Sequence, residues 1–140
     1  MIMNREKLER QLAIDEGRRA IVYLDTVGKL TGGIGRNLTD RPFFDDEIAL
    51  MLKNDIALVE QDLDKRLPWW RDMTDARQNV LANMAFNLGI NRLMGFGKTL
   101  THMRAGEYDA AAREMLDSKW AKQVGARAVR LAALMRKGEF

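Results

Sequence analysis

The sequence predicts an α+β fold that is mostly α-helical: a small β-hairpin lobe near the N-terminus, joined by a long helix to a C-terminal helical bundle. Three observations support this class. β-Branched and aromatic residues are concentrated between Ala20 and Asp25, directly before a glycine-containing turn. After Asp45, apolar residues recur at three- and four-residue steps, which is the pattern of amphipathic helices. Only two prolines interrupt the chain, and no internal repeat is present.

The first element is a helix predicted over residues 4–16. Asn4 is a suitable N-cap, and Gly17 is placed to end the helix as the residue after its last turn. Glu16 therefore falls at a helix C-terminus.

A β-hairpin follows this helix. Ala20 to Asp25 form the first predicted strand, Gly28 supplies the turn, and Leu30 begins the return strand. If the strands pair symmetrically about Gly28, Asp25 and Thr31 stand directly opposite each other and project from the same face. Thr31 could then hold a water molecule beside Asp25.

Every element after Asp45 is predicted to be helical. A long amphipathic helix is closed by Pro68, and a helix that is apolar on nearly all sides covers residues 75–88. Shorter helices are predicted around Leu100–Met103, Tyr108–Leu116 and Val124–Met135. We expect a single domain of 140 residues. Its β-lobe covers about residues 17–42, and its helical lobe covers about 45–140 together with the N-terminal helix.

The composition limits the chemistry of any active site. The chain has no cysteine and a single histidine, His102. A disulfide framework, a thiolate metal site and a cysteine nucleophile are excluded, and a zinc site or a Ser-His triad is hard to assemble. We therefore expect no metal and no cofactor, and expect carboxylates to carry any catalysis. His102 itself is interpreted as a surface or half-buried polar residue.

The charge balance favours a polyanionic partner. With 23 basic and 20 acidic residues, the formal net charge is +3, which suits nucleic acid, an acidic membrane or a charged cell-wall polymer. No apolar run approaches the length of about 18 residues that marks a transmembrane helix, and the N-terminus becomes charged too early for a signal peptide. We expect a protein that is made and first kept soluble in the cytosol.

Glu16 and Asp25 are the candidate catalytic pair. The helix dipole at a C-terminus and an expected partial burial favour the protonated form of Glu16, which suits a general acid. Asp25 lies beside a turn with backbone donors and is expected to stay ionised. Two carboxyl groups that differ in this way are what glycoside hydrolysis requires. Taken singly, such residues are more often surface and turn residues.

Several segments resemble the phage-type lysozymes, the endolysins of glycoside hydrolase family 24. That family has a glutamate, eight residues, an aspartate, five residues and a threonine, and this chain has the same spacing at Glu16, Asp25 and Thr31. Later segments are also similar: Asn83-Met84-Ala85-Phe86-Asn87-Leu88-Gly89, Gly95-Phe96, Ser118-Lys119-Trp120 and Gln123-Val124-Gly125-Ala126-Arg127-Ala128. The resemblance covers nearly the whole chain.

The resemblance implies a muramidase that hydrolyses the β-1,4 bond between N-acetylmuramic acid and N-acetylglucosamine. Glu16 matches the general acid, Asp25 the second carboxylate that directs water, and Thr31 the threonine that assists it. Arg127 matches an arginine that pairs with the catalytic glutamate, and such a pairing would lower the pKa of Glu16 and so oppose the effects of burial and the helix dipole. An inverting mechanism is implied, for which the two carboxyl groups should stand about 6.5–9.5 Å apart.

The resemblance also implies partners and a location. The substrate would be the glycan strands of peptidoglycan, and the protein would be a monomer that does not bind nucleic acid. It would act at phage release, passing from the host cytoplasm to the periplasm or cell wall after permeabilisation by a holin. The basic C-terminal helix, which includes Arg127, would make transient contact with anionic membrane.

Two positions depart from the family pattern. The family has an aliphatic residue after the threonine and a histidine after the Gly-x-Gly step, where this chain has Gly32 and Arg36. We expect the extra glycine to make the hairpin more flexible.

Two other functions stay open. A lytic transglycosylase cuts the same bond with a single glutamate and leaves a 1,6-anhydro end, but Asp25 and Thr31 argue against it. A small basic helical protein that binds nucleic acid would need a recognition motif, and none is evident. The tryptophans Trp69, Trp70 and Trp120 are interpreted as core residues rather than as sugar-stacking platforms.

Overall fold

A computed structural model describes all residues from 1 to 140 and confirms a mostly helical α+β fold with a small sheet near the N-terminus. The chain forms two compact units, Met1–Leu50 and Met51–Phe140. The single-domain organisation, in which the N-terminal helix belongs to the helical lobe, stays a prediction.

The first unit begins with helix α1 (Arg5–Glu16), close to the predicted range. The Asn4 side chain accepts a hydrogen bond from the Lys7 backbone N–H at 2.9 Å, which confirms the predicted N-cap. The helix ends where the Gly17 N–H donates to the Ala13 carbonyl at 3.1 Å. Gly17 has a φ of 76°, a conformation that strongly favours glycine.

A three-stranded antiparallel sheet follows, in the order β1 (Arg18–Leu24), β2 (Leu30–Ile34) and β3 (Arg36–Asn37). The first two strands are the predicted hairpin. The third is not predicted, because two residues are too few to show the alternation that marks a strand. The Leu38 N–H donates to the Leu30 carbonyl at 2.7 Å, beside the short β3 pairing.

The predicted register of the hairpin is wrong. Tyr23, not Asp25, is the partner of Thr31, and Asp25 pairs with Lys29 through its N–H at 2.9 Å. The reason is the turn: the Gly28 N–H donates to the Asp25 carbonyl at 3.1 Å, so Asp25 is the first residue of the turn. The hairpin is centred on Val27 instead of Gly28.

The long helix α2 (Asp45–Arg66) confirms the helix that the sequence predicts, although Leu63 is the only one of its apolar residues that is buried. Its first turn carries acidic residues and its last turn basic ones, which is the favourable arrangement for the helix dipole. A short 3-10 helix, Pro68–Asp72, follows directly. Arg71 joins the two elements by donating to Asp64 at 2.8 Å and to Glu60 at 3.2 Å.

The second unit is helical throughout. The buried helix α3 (Asp75–Leu88) has the predicted bounds and ends at Gly89 as expected. The other helices are α4 (Ile90–Met94), α5 (Gly97–Arg104), α6 (Tyr108–Leu116), α7 (Lys119–Val124) and α8 (Ala126–Lys137). Helices α4 and α7 are not predicted from the sequence. Gly125 separates α7 from α8 with a φ of 57° and a ψ of −119°, so the predicted helix from residue 124 begins two residues later.

The core of this unit is built around α3. Val80, Leu81 and Met84 of α3 are completely buried, together with residues of the surrounding helices. Arg77 fixes the end of α8, because its guanidinium donates to the carbonyl oxygens of Met135 at 2.8 Å and Arg136 at 3.0 Å. These bonds satisfy carbonyl groups that a helix C-terminus leaves without partners. No helix is both long enough and apolar enough to cross a membrane.

Candidate active site

Glu16 is the last residue of α1, and its side chain is exposed. The partial burial that we expected for this carboxyl group is therefore absent. The carboxyl group lies against the backbone of Gly35, at the junction between β2 and β3. A Cβ atom at Gly35 would stand 2.6 Å from Glu16 Oε2 and 2.8 Å from Glu16 Cδ. This close approach is not predicted from the sequence.

Asp25 is fixed in the hairpin turn by its own side chain. Its Oδ1 accepts hydrogen bonds from the backbone N–H groups of Val27 at 3.0 Å and Lys29 at 2.8 Å. These are the backbone donors that the turn sequence predicts. Its Oδ2 has no protein partner, so one oxygen holds the side chain in place and the other stays free to interact with a water molecule.

Thr31 is buried, with 5% of its surface exposed. Its hydroxyl donates to the Lys29 carbonyl at 3.2 Å. Because that bond uses the only hydroxyl proton, Oγ1 is left as an acceptor. Thr31 pairs with Tyr23. Thr31 therefore lies across the hairpin from a residue two positions before Asp25, and Thr31 and Asp25 are not directly opposite.

The two departures from the family pattern have structural partners. Arg36 forms an ion pair with Glu47, and its guanidinium lies 5.7 Å from the centroid of the Phe44 ring. Gly32 is buried, and a Cβ atom there would stand 3.3 Å from Leu38 Cδ1. The Leu38 side chain therefore takes part of the space that a larger residue at position 32 would fill.

Glu47 stabilises the first unit through its contacts with Arg36 and Phe44. The hydrogen bond from Arg36, and then the one from the Phe44 backbone N–H at 2.7 Å, hold the pKa of Glu47 below its ordinary value. Glu47 therefore links Arg36 of β3 to the start of α2.

Arg127 lies at the start of α8, in the second unit. Its Nε and Nη2 donate to Oδ1 of Asn83 at 2.9 and 2.7 Å. One turn further along α3, Asn87 Oδ1 accepts the indole N–H of Trp120 at 2.8 Å. These two contacts are not predicted, although two asparagines four residues apart on the mostly apolar second half of α3 are a signal for such partners. The pairing of Arg127 with Glu16 joins residues of different units and stays a prediction.

The tryptophans and the histidine, which could bind sugar or metal, instead contact other residues of the protein. Trp70 is 2% exposed and donates its indole N–H to Asp64 at 2.7 Å, and Trp120 is 3% exposed. Trp69 is partly buried against the core. His102 is half-buried and lies 3.1 Å from Glu107. The interpretation as core residues is confirmed for Trp70 and Trp120, whereas Trp69 packs against the core from its edge.

A mostly helical α+β fold with a small antiparallel sheet near the N-terminus is the architecture of a lysozyme-like protein. The Phage lysozyme family model matches residues 13–139, so the chain belongs to the phage lysozyme family.

Three relatives illustrate this membership. The chain is 29% identical to the pre-baseplate central spike protein Gp5 of Enterobacteria phage T4, over 95% of this chain but 28% of that protein. It is 21% identical to probable T4-type lysozyme 1 and 24% identical to probable T4-type lysozyme 2 of Dictyostelium discoideum, in each case over 94% of both chains. The alignments extend over 160 or 161 positions, more than the 140 residues of this chain. The relatives therefore contain residues that have no counterpart here.

Proposed function

We propose that this protein is a muramidase that hydrolyses the β-1,4 bond between N-acetylmuramic acid and N-acetylglucosamine in peptidoglycan. Glu16 is the general acid, Asp25 directs the attacking water, and Thr31 assists Asp25. The observation that carries the proposal is the placement of these three residues in a chain of this family. Glu16 ends α1, Asp25 opens the hairpin turn with a free Oδ2, and Thr31 is buried in the return strand next to that turn.

Each of the two carboxyl groups takes part in one proton transfer in the proposed reaction. Glu16 gives its proton to the oxygen that leaves with N-acetylglucosamine as the bond to C1 of N-acetylmuramic acid breaks. A water molecule adds to C1, and Asp25 accepts its proton through Oδ2. The Oδ1 bonds to Val27 and Lys29 keep the carboxylate from turning away during this step. Thr31 Oγ1, as an acceptor, orients the same water molecule.

The reaction is proposed to invert the configuration at C1. Inversion needs room for the water between sugar and carboxylate, and therefore carboxyl groups about 6.5–9.5 Å apart, against roughly 5 Å for a retaining enzyme with a covalent intermediate. Arg127 is proposed to support the site by pairing with Glu16, as the resemblance to the family implies. Its guanidinium uses Nε and Nη2 on Asn83, which leaves the N–H donors of Nη1 for this pairing.

The chemistry of the products tests the proposal. Purified peptidoglycan should yield muropeptides with new reducing ends at N-acetylmuramic acid, which mass spectrometry after borohydride reduction detects. Products with 1,6-anhydro ends are not reduced by borohydride and are therefore lighter than the reduced hydrolysis products by one water and two hydrogen atoms; they would show a lytic transglycosylase and contradict hydrolysis. Glu16→Gln should give neither product, because the transferable proton is removed while the side-chain shape is kept.

The biological role is proposed to be lysis of the bacterial host at phage release. Expressed in Gram-negative cells, the protein should clear the culture only after chloroform opens the inner membrane, as expected of an enzyme that depends on a holin. Clearing without chloroform would contradict this dependence.

The likeness to a central spike protein supports a second role, wall degradation by a phage particle, and detection of the chain in purified particles would favour that role.

The remaining partners are proposed from the same family membership. The protein acts as a monomer, so light scattering should give a mass near 16.0 kDa. It binds no nucleic acid, and a gel shift with steep salt dependence would contradict this. The basic end of α8, Arg136 and Lys137, makes transient contact with anionic membrane. Co-sedimentation with vesicles of an anionic phospholipid, but not of a zwitterionic one, tests that contact.

A further inference from the structure

Two glycines close to the end of β2 share one backbone conformation. Gly33 has a φ of 62° and Gly35 has a φ of 64°. Replacing either by alanine places a side chain in the left-handed region, which costs a similar amount of stability at each position. The pair thus provides two alanine variants with matched backbone strain.

The two glycines differ in what lies beside them. No atom lies within 4 Å of the position of a Cβ at Gly33. A Cβ at Gly35 would stand 2.6 Å from Oε2 and 2.8 Å from both Cδ and Cγ of Glu16. Real Cβ atoms essentially never approach other heavy atoms to less than 3.0 Å, so the Glu16 side chain would have to move.

We propose that Gly35 is a positioning residue for the general acid: its missing side chain leaves the space that the Glu16 carboxyl group occupies, and its backbone forms one wall of that space. The inference rests on the proposed role of Glu16. An exposed carboxyl group without a protein hydrogen bond is held only by such contacts and by the end of α1. Neighbouring structure fixes the wall, since Gly35 lies directly between β2 and β3.

The positioning role predicts a specific kinetic defect. A displacement of a catalytic group by about 1 Å can lower the rate about 10²-fold. Gly35→Ala should therefore lower kcat for peptidoglycan hydrolysis by about 10- to 100-fold while KM changes less than about twofold, because substrate contacts elsewhere are kept. Gly33→Ala should show a similar drop in Tm and a kcat within about threefold of wild type.

The contact itself can be tested without any activity measurement. In Glu16→Ala, the three atoms that a Gly35 side chain would meet are gone. Gly35→Ala should then raise the unfolding equilibrium constant by about twofold more in the presence of Glu16 than in the presence of alanine at position 16. Gly33→Ala should raise the constant equally in both backgrounds. Denaturant unfolding followed by circular dichroism gives all of these values.

The outcomes separate the inference from the proposed function. If Gly35→Ala keeps full kcat, or if Gly35→Ala and Gly33→Ala lose kcat equally, the positioning role is overturned. Equal effects of Gly35→Ala in both Glu16 backgrounds overturn the contact. If the coupling is present but Glu16→Gln remains fully active, the contact stands, and the assignment of Glu16 as the acid fails. Should Gly35→Ala alone not fold, recovery of folding by the double variant supports the contact, and no recovery overturns it.

Discussion

Replacing Asp25 separates its part in the hairpin turn from its proposed part in catalysis. Oδ1 accepts two backbone N–H groups, and Oδ2 is free. Asp25→Asn keeps an acceptor oxygen at the position of Oδ1 and removes the negative charge, whereas Asp25→Ala removes both oxygens. The two variants should therefore differ in stability but share a loss of activity.

The structure gives the magnitude of the stability difference. Asp25→Ala leaves the N–H groups of Val27 and Lys29 without their acceptor, and the loss of such a bond costs about 0.5–1.5 kcal/mol. One of the two bonds is exposed and the other is part-buried, so the total should be about 1–3 kcal/mol. Asp25→Asn should cost less than about 1 kcal/mol, because a neutral amide oxygen still accepts both bonds.

The measurements are denaturant unfolding and the release of reducing ends from purified peptidoglycan. Asp25→Asn should unfold nearly as wild type does and lose about 10²- to 10⁴-fold in rate, as expected when a general base is removed. A stable Asp25→Asn with wild-type activity would refute the catalytic role of the carboxylate. An Asp25→Asn as unstable as Asp25→Ala would refute the division of labour between the two oxygens.

Three further predictions concern the contact of Arg77 with the end of α8, the ion pair between Arg36 and Glu47, and the configuration of the reaction product. Arg77→Ala should lower the free energy of unfolding by about 1–3 kcal/mol, because two carbonyl acceptors at the end of α8 lose their donor; Arg77→Lys should recover little of this in denaturant unfolding, since lysine lacks the forked donor. The pKa of Glu47 is lowered by Arg36 from an ordinary value of 4.5. The pair therefore stabilises the fold fully above that pH, and its contribution disappears as the pH falls through the lowered pKa. The loss of stability between about pH 5 and pH 3, measured by thermal unfolding, should be smaller in Glu47→Gln than in wild type; an equal loss would contradict the prediction. Proton NMR of freshly cleaved peptidoglycan should show the α anomer first if the mechanism inverts, and the β anomer first if it retains configuration.

The helical part of the fold is the part best predicted from the sequence. The bounds of α3 follow from an apolar run and a terminal glycine, and α2 follows from its repeat of apolar residues. Short elements escape prediction, because a helix such as α4, with five residues, has too little length for a period to appear. An apolar repeat that continues over several turns therefore predicts a helix, whereas a segment of a few residues is too short to show one.

The candidate site is predicted in identity but not in detail. The residue types and the spacing of Glu16, Asp25 and Thr31 are visible in the sequence. The register of the hairpin is not visible in the sequence. It depends on the hydrogen bond from the Gly28 N–H to the Asp25 carbonyl, and on the two that Asp25 Oδ1 accepts, which together centre the turn on Val27. The approach of Gly35 to Glu16 also depends on tertiary structure, which brings residues 19 positions apart into contact.

The proposed muramidase activity depends above all on Glu16, which transfers the proton that breaks the glycosidic bond. The most direct test compares wild type with Glu16→Gln in the rate of reducing-end release from purified peptidoglycan, with denaturant unfolding to show that both are folded. We expect a loss of at least about 10²-fold with an unchanged unfolding midpoint, because only the transferable proton is removed. A folded Glu16→Gln variant that cleaves peptidoglycan at the wild-type rate would contradict the role of Glu16 as the general acid.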